Sequence, residues 1–167
     1  MNFDIDERGR YLGNTGGHSM FDKFNEHWLS HFEEGLITKK EYIAATFAQH
    51  YRTVEEFCNP FEDQGSTVSK AGLKLLSCTT KLTKCPYKNS FEKNTDKMTS
   101  LEYAKSIIPT TRSWSETVFK TALNGRETEE IEALVDSFYK KYMDQVTKNP
   151  EGHSMDYIHI IMEIEKT

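Results

Sequence analysis

The chain has 167 residues, 37% of them apolar and 12% aromatic, with 21 basic and 26 acidic side chains giving a net charge of −5. That length suits one domain with a core in which aromatic rings take an unusual share. The negative balance, with no basic run longer than two residues, argues against a nucleic-acid footprint and against an anionic membrane surface.

No apolar run approaches the ~20 residues that span a bilayer. The opening residues MNFDIDERGRYLG carry neither a positive n-region nor an apolar h-region, so a cytoplasmic location is expected. Cys58, Cys78 and Cys85 form no framework and read as reduced thiols, a Cys58–Cys78 bridge being the alternative.

Residues 1–17 read as a strand end (Phe3, Ile5) running into the loop Gly13-Asn14-Thr15-Gly16-Gly17. Ser19 and Asp22 then form a capping-box-like helix start. Phe21, Phe24, Trp28 and Phe32 step along one helical stripe, and Gly35 fits a left-handed helix end. Thr38 with Glu41, and Thr53 with Glu56, predict two further helix starts. The second of these helices is expected to stop before Pro60. Glu62 to Gly65 reads as a turn, and Ala71–Leu82 as a strand rich in β-branched and apolar residues.

Cys85-Pro86-Tyr87 should break that strand, and the aperiodic, polar stretch from Lys88 to Thr99 reads as a surface excursion. Thr99 or Ser100 caps a helix through Leu101, Ala104, Ile107 and Ile108. Pro109 should stop or kink it, with the pattern resuming at Thr111 through Trp114, Val118 and Ala122 until Gly125. The clearest helix carries Ile131, Leu134, Val135, Phe138, Tyr142 and Val146 on one stripe. Acidic residues stand at its start and Lys140 and Lys141 toward its end, as the helix dipole favours. After the turn Asn149–Gly152, Met155–Lys166 reads as a strand apolar on both faces, hence buried inside a sheet.

The chemistry-bearing residues form no strong motif. His27 and His31 lie one turn apart on the first helix, but no third ligand is evident, and two imidazoles flanking an aromatic stripe is the plainer reading. There is no nucleophile elbow, phosphate loop or H-E-x-x-H. Arg112 and Glu116, also one turn apart, fit either a surface ion pair or a buried pair that fixes the helix against another domain.

The order of the pieces, however, resembles the C-terminal half of the SABATH family of S-adenosylmethionine-dependent carboxyl methyltransferases. Glu34-Gly35-Leu36-Ile37 matches the family's EGLI. Phe47 and the stretch Tyr51 to Glu56 match the segment that follows it. Arg112 to Thr117 matches an R-x-x-x-E-P helix start, with Thr117 in place of proline, and Tyr157 to Lys166 matches the last strand. The resemblance implies an α+β, mainly helical chain: a helical cap with a few strands, the C-terminal part of a class I methyltransferase sheet. It implies further that Met20, Phe21, Tyr51, Thr111, Trp114 and Tyr157 bind the acceptor, a small hydrophobic carboxylic acid, and that S-adenosylmethionine is the methyl donor. For Phe21, Trp114 and Tyr157, plain core packing is the competing assignment.

The glycine-rich turn and the acidic ribose partner that hold the donor in that family have no counterpart here. The expected organisation is therefore a single partial domain: strand end and loop at 1–17, helical cap at 18–64, strand at 68–84, cap helices at 99–148 and C-terminal strand at 155–167. Three functions follow as expectations: half of a methyltransferase, inactive alone; a non-catalytic small-molecule-binding module; or a protein that forms a homodimer through unpaired sheet edges.

Overall fold

Threonine side chains open three of the helices in the computed structural model, which describes residues 4–14, 20–94 and 96–167. Thr38, Thr53 and Thr99 each accept from the backbone N–H three residues on. Glu41, Glu56 and Glu102 reach back to the cap residue, closing three reciprocal capping boxes. These start α2 (Lys39–Ala44), α3 (Val54–Glu62) and α6 (Ser100–Ala122). The remaining helices are α1 (Met20–Glu33), α4 (Thr67–Lys70), α5 (Pro86–Lys93) and α7 (Thr128–Lys148). The strands are β1 (Asp4–Ile5), β2 (Arg52–Thr53), β3 (Leu73–Thr83) and β4 (Tyr157–Lys166). The chain is α+β, with more than half of it helical. The expected Ser19 cap, and residues Phe3 and Thr15–Gly17 of the opening segment, lie outside the described residues.

Helix α1 ends as its glycine predicts. Gly35 adopts φ +72°, its N–H donates to the Phe32 carbonyl at 3.0 Å, and the Leu36 N–H donates to the His31 carbonyl at 2.9 Å. These two bonds make a Schellman end, which satisfies carbonyls the helix would otherwise leave open. A Cβ added at Gly35 meets nothing within 4 Å. Gly35→Ala should therefore lose only the backbone preference, about 1 kcal/mol. Urea unfolding of the two proteins measures it.

The chain divides into two compact units. The helical unit takes 20–48 and 86–154 and holds α1, α2, α5, α6 and α7. Helices α6 and α7 run antiparallel, since Lys120 pairs with Glu132 while Arg112 pairs with Asp136. Between α1, α6 and α7 lies an aromatic core of Phe24, Trp28, Phe119 and Phe138, each at most 2% exposed. The buried stripe of α1 is Met20, Phe24, Trp28 and His31, so Phe21 and Phe32 flank it rather than belong to it.

The second unit takes 4–14, 49–85 and 155–167. In it β1 pairs parallel with β2, and β3 pairs antiparallel with β4 from Leu73↔Lys166 to Thr83↔Tyr157, with a bulge at Leu76. One face of this ribbon carries Leu75, Cys78, Leu82, Ile158, Ile160 and Met162, all buried or half-buried.

Three expectations are corrected, and of the two outcomes expected at Pro109 the stop is excluded. Strand β4 is not enclosed in a sheet: β3 is its one ladder partner among the described residues, and Ile161 and Ile164 are 50% and 45% exposed. Apolar side chains on both faces indicate burial only where layers exist to cover both. The stretch from Lys88 is not a surface excursion. Pro86 opens α5, at the position where a missing N–H costs nothing. The Lys88 ammonium, 7% exposed, donates to the Pro150 carbonyl at 2.9 Å and sits over the rings of Phe91 and Tyr103. Pro60 lies inside α3 and Pro109 inside α6, and neither ends its helix. Each removes one backbone donor, and around Pro109 the buried Ile107, Ile108 and Thr111 hold both halves of α6 in place.

Candidate functional site

The aromatic stretch that begins α1 meets α6 and the segment after α2. Phe21 lies 5.5 Å from Phe47 and 6.3 Å from Trp114, ring centroid to ring centroid, and Phe24 lies within 6.1 Å of both. The rings meet edge-on or tilted, the arrangement their quadrupoles favour. Phe24 is buried, whereas Phe21, Phe47 and Trp114 are half-buried.

Beside this cluster lies a half-open cavity of about 50 Å³, lined by Phe21, Phe24, Asn25, Trp28, Ala45, Phe47 and Phe119. Its wall is almost entirely aromatic. Trp28 is 2% exposed, and its indole Nε1 has no hydrogen-bond partner among the described residues. An indole N–H left unpaired in a core costs about 1–3 kcal/mol, so it calls for an explanation.

The six residues implied by the resemblance fall in different settings. Phe21 lines the cavity, and Trp114 packs against its ring without lining the cavity. Met20 is 4% exposed and Thr111 1% exposed, and the Thr111 hydroxyl donates to the Ile107 carbonyl at 3.0 Å. Both are core residues of their helices. Tyr51 and Tyr157 belong to the strand-containing unit. Tyr51 stacks on Tyr11 at 5.0 Å, and its hydroxyl donates to the Gln49 side chain. Burial, with the neighbouring Tyr11 phenol, pushes the Tyr51 phenol above its ordinary pKa. Tyr157 stacks on His159, with 11° between the ring planes.

The histidine pair is structural. His27 Nε2 is 3.0 Å from the Gln145 side-chain oxygen and His31 Nδ1 is 2.9 Å from the His27 carbonyl, so both ring nitrogens named here serve as donors. His31 is fully buried, and its other nitrogen has no aligned partner. Burial lowers the pKa of both imidazoles. Among the described residues no group of three His, Cys, Asp or Glu could hold a metal ion. The three cysteines are free thiols, Cys85 buried and the others half-buried.

Arg112 falls between its two sequence readings. Its guanidinium donates to Glu116 at 2.7 Å and pairs with Asp136 at 2.7 Å, half-buried and 5.2 Å over the Tyr139 ring. The pair ties α6 to α7 within one unit. An open groove of about 430 Å³ runs beside it, lined by Ile108, Pro109, Arg112, Asp136, Tyr139, Lys140 and Met143. Its one arginine is already committed to carboxylates.

Trp28, Phe47 and Phe119 are the site residues that spacing did not single out. Trp28 belongs to a stripe that any packed helix would show. Phe47 lies outside regular structure, where periodicity is silent. No protein-family model matches the chain. No curated protein matches it.

Proposed function

We propose that the helical unit binds a small hydrophobic carboxylic acid against its aromatic wall, as the acceptor cap of a SABATH-like carboxyl O-methyltransferase would. The observation that carries this reading is the aromatic-walled cavity lined by the half-buried Phe21 and Phe47, against whose rings the half-buried Trp114 packs. Small-molecule sites are mostly apolar with few polar groups, and this wall has that character. Phe21 and Trp114 are the contact residues in this reading. Met20 and Thr111 support them from the core.

Methyl transfer requires the acceptor oxygen held in line with a sulfonium methyl group, so catalysis is mainly positioning. Among the described residues no glycine-rich strand-to-helix turn stands ready to hold S-adenosylmethionine. The donor is then a matter for another polypeptide segment, and this chain alone is inactive. Two measurements test the reading. Incubation with labelled S-adenosylmethionine and a panel of small carboxylic acids should give no turnover; clear turnover overturns the claim of inactivity. Thermal unfolding with the same acids should give a rise in Tm that grows with concentration, as binding linkage demands. The absence of any rise across the panel overturns the binding claim.

A further inference from the structure

The turn between α6 and α7 reads Leu123-Asn124-Gly125-Arg126. Asn124 is the one asparagine of the chain that a glycine follows. An asparagine side-chain amide can be attacked by the backbone nitrogen of the next residue, and glycine, with no Cβ, leaves that nitrogen unshielded. In a folded chain two further conditions apply. The amide and the N–H must be uncommitted, and the site must have room for a ring to close.

Both conditions hold here. Asn124 and Gly125 are exposed. Among the described residues neither the Asn124 side chain nor the Gly125 N–H makes a hydrogen bond. A Cβ added at Gly125 would meet nothing within 4 Å. The other asparagines of the described helices and turns fail one condition or the other. Asn59 and Asn149 precede proline, which has no N–H. Asn25 and Asn89 lie inside α1 and α5, where the next N–H is tied into the helix. The Asn94 amide donates to the Ser90 carbonyl at 2.9 Å.

We infer that Asn124 is a self-modification site, which passes through a cyclic imide to aspartate and isoaspartate, and that the isoaspartate form loosens the tie made by Arg126. The Gly125 nitrogen gives up its proton and bonds to Asn124 Cγ. The bond from Cγ to Nδ2 breaks, and ammonia leaves with that proton. Water then opens the imide. Opening at Cγ gives aspartate; opening at the main-chain carbonyl gives isoaspartate, whose main chain runs through the side chain and is one carbon longer. That carbon falls inside the loop closed by the Arg126 N–H donating to the Leu123 carbonyl at 3.2 Å. Leu123 is fully buried and held from the core side, so the added length displaces Arg126. Its guanidinium, which donates to Glu41 and to the Leu36 carbonyl, then leaves the position from which it joins α7 to α2. The inference is independent of the small-molecule reading above.

Peptide mapping of stored protein tests it. Lys120 and Arg126 make Thr121–Arg126 a tryptic peptide that contains Asn124. On storage at mildly alkaline pH this peptide should gain the mass of an amide-to-acid exchange before any other asparagine peptide does. It should separate into two products of equal mass, isoaspartate being the larger, and slow at mildly acidic pH. Gly125→Ala should slow the conversion at least about tenfold, a barrier higher by about 1.4 kcal/mol. An unchanged peptide, another asparagine converting first, or aspartate without isoaspartate would overturn the site. If Gly125→Ala does not fold, the wild-type products and their pH dependence decide the matter. In urea, protein rich in isoaspartate should unfold at a lower midpoint than fresh protein. Asn124→Asp, which carries the charge without the longer main chain, should stay nearer the fresh value. Equal midpoints for fresh and stored protein would overturn the loosening of Arg126.

Discussion

Phe138→Ala is expected to lower stability by about 3–5 kcal/mol, the range for removing a fully buried phenylalanine. Phe138 is fully buried, 4.2 Å from Phe119 and 5.8 Å from Phe24 by ring centroids, and touches the edge of Tyr139 at 4.9 Å. It joins α7 to both α1 and α6, so the hole left by alanine has large, rigid rings on several sides. Such rings cannot collapse inward without leaving their rotamers. Against a total stability on the order of 5–15 kcal/mol, the loss is enough to unfold a marginal domain at 37 °C. Phe138→Leu keeps most of the volume and should cost well under half as much. Equilibrium unfolding in urea, followed by circular dichroism, compares the three. Equal stability of Phe138→Ala and wild type would mean that the aromatic core does not hold the helices together.

The second large effect is acid sensitivity from one ion pair. Arg126 donates twice to Glu41, at 2.6 and 2.8 Å, and once to the Leu36 carbonyl at 3.1 Å, with Glu130 on its remaining arm. One guanidinium thus joins the segment after α1, the start of α2 and the start of α7. Both side chains of the main pair are largely buried, 18% and 15% exposed. The Arg126 hydrogen bond, helped by the Thr38 cap, holds the Glu41 carboxyl at a pKa of about 2, against 4.5 for the free group. A depressed carboxyl pKa stabilises the folded form fully above the unfolded value. That contribution therefore fades as pH falls from about 4.5 toward 2. Glu41→Gln should cost about 2 kcal/mol at pH 7, the worth of a charge-assisted hydrogen-bonded pair in a partly buried site. The gap between the two proteins should narrow at pH 3, because below about 4.5 the unfolded wild-type chain takes up a proton that the folded Glu41 carboxylate resists. Urea unfolding at pH 7 and pH 3 tests this, and a gap that stays constant between them would contradict it.

What could be read from the sequence follows from how local each signal is. The Thr38–Glu41 and Thr53–Glu56 capping boxes and the Gly35 helix end are settled by four or five neighbouring residues, and all three stand as read, while the cap left open between Thr99 and Ser100 falls to Thr99. The α7 stripe was legible because Leu134, Val135, Phe138, Tyr142 and Val146 repeat at the helical period. Segments whose stability comes from elsewhere were not legible. Helix α5 is short and polar on average, and it is held in part by Lys88 reaching the carbonyl of Pro150, 62 residues away. Pro60 read as a stop, and Pro109 as a stop or a kink, because their cost is local, while the packing that outweighs it at Pro109 is not. The site divides in the same way. Phe21 and Trp114 could be named in advance, but the unpaired Nε1 of Trp28 depends on what the surrounding chain fails to offer, and no spacing rule records that.

The pairing of β3 with β4 has a consequence for the order of assembly. These strands face each other from Leu73↔Lys166 to Thr83↔Tyr157, and the whole α6–α7 hairpin lies between them in the chain. The helical hairpin can form from contacts close in sequence, on the fast timescale of local structure. The ribbon must wait until residues 157–166 have left the ribosome and found strand β3 across the intervening helices. During synthesis β3 is therefore an unpaired strand carrying the exposed Leu76, open to mispairing for as long as its partner is missing. Lys74 and Lys81, both on its exposed face, are placed to discourage that.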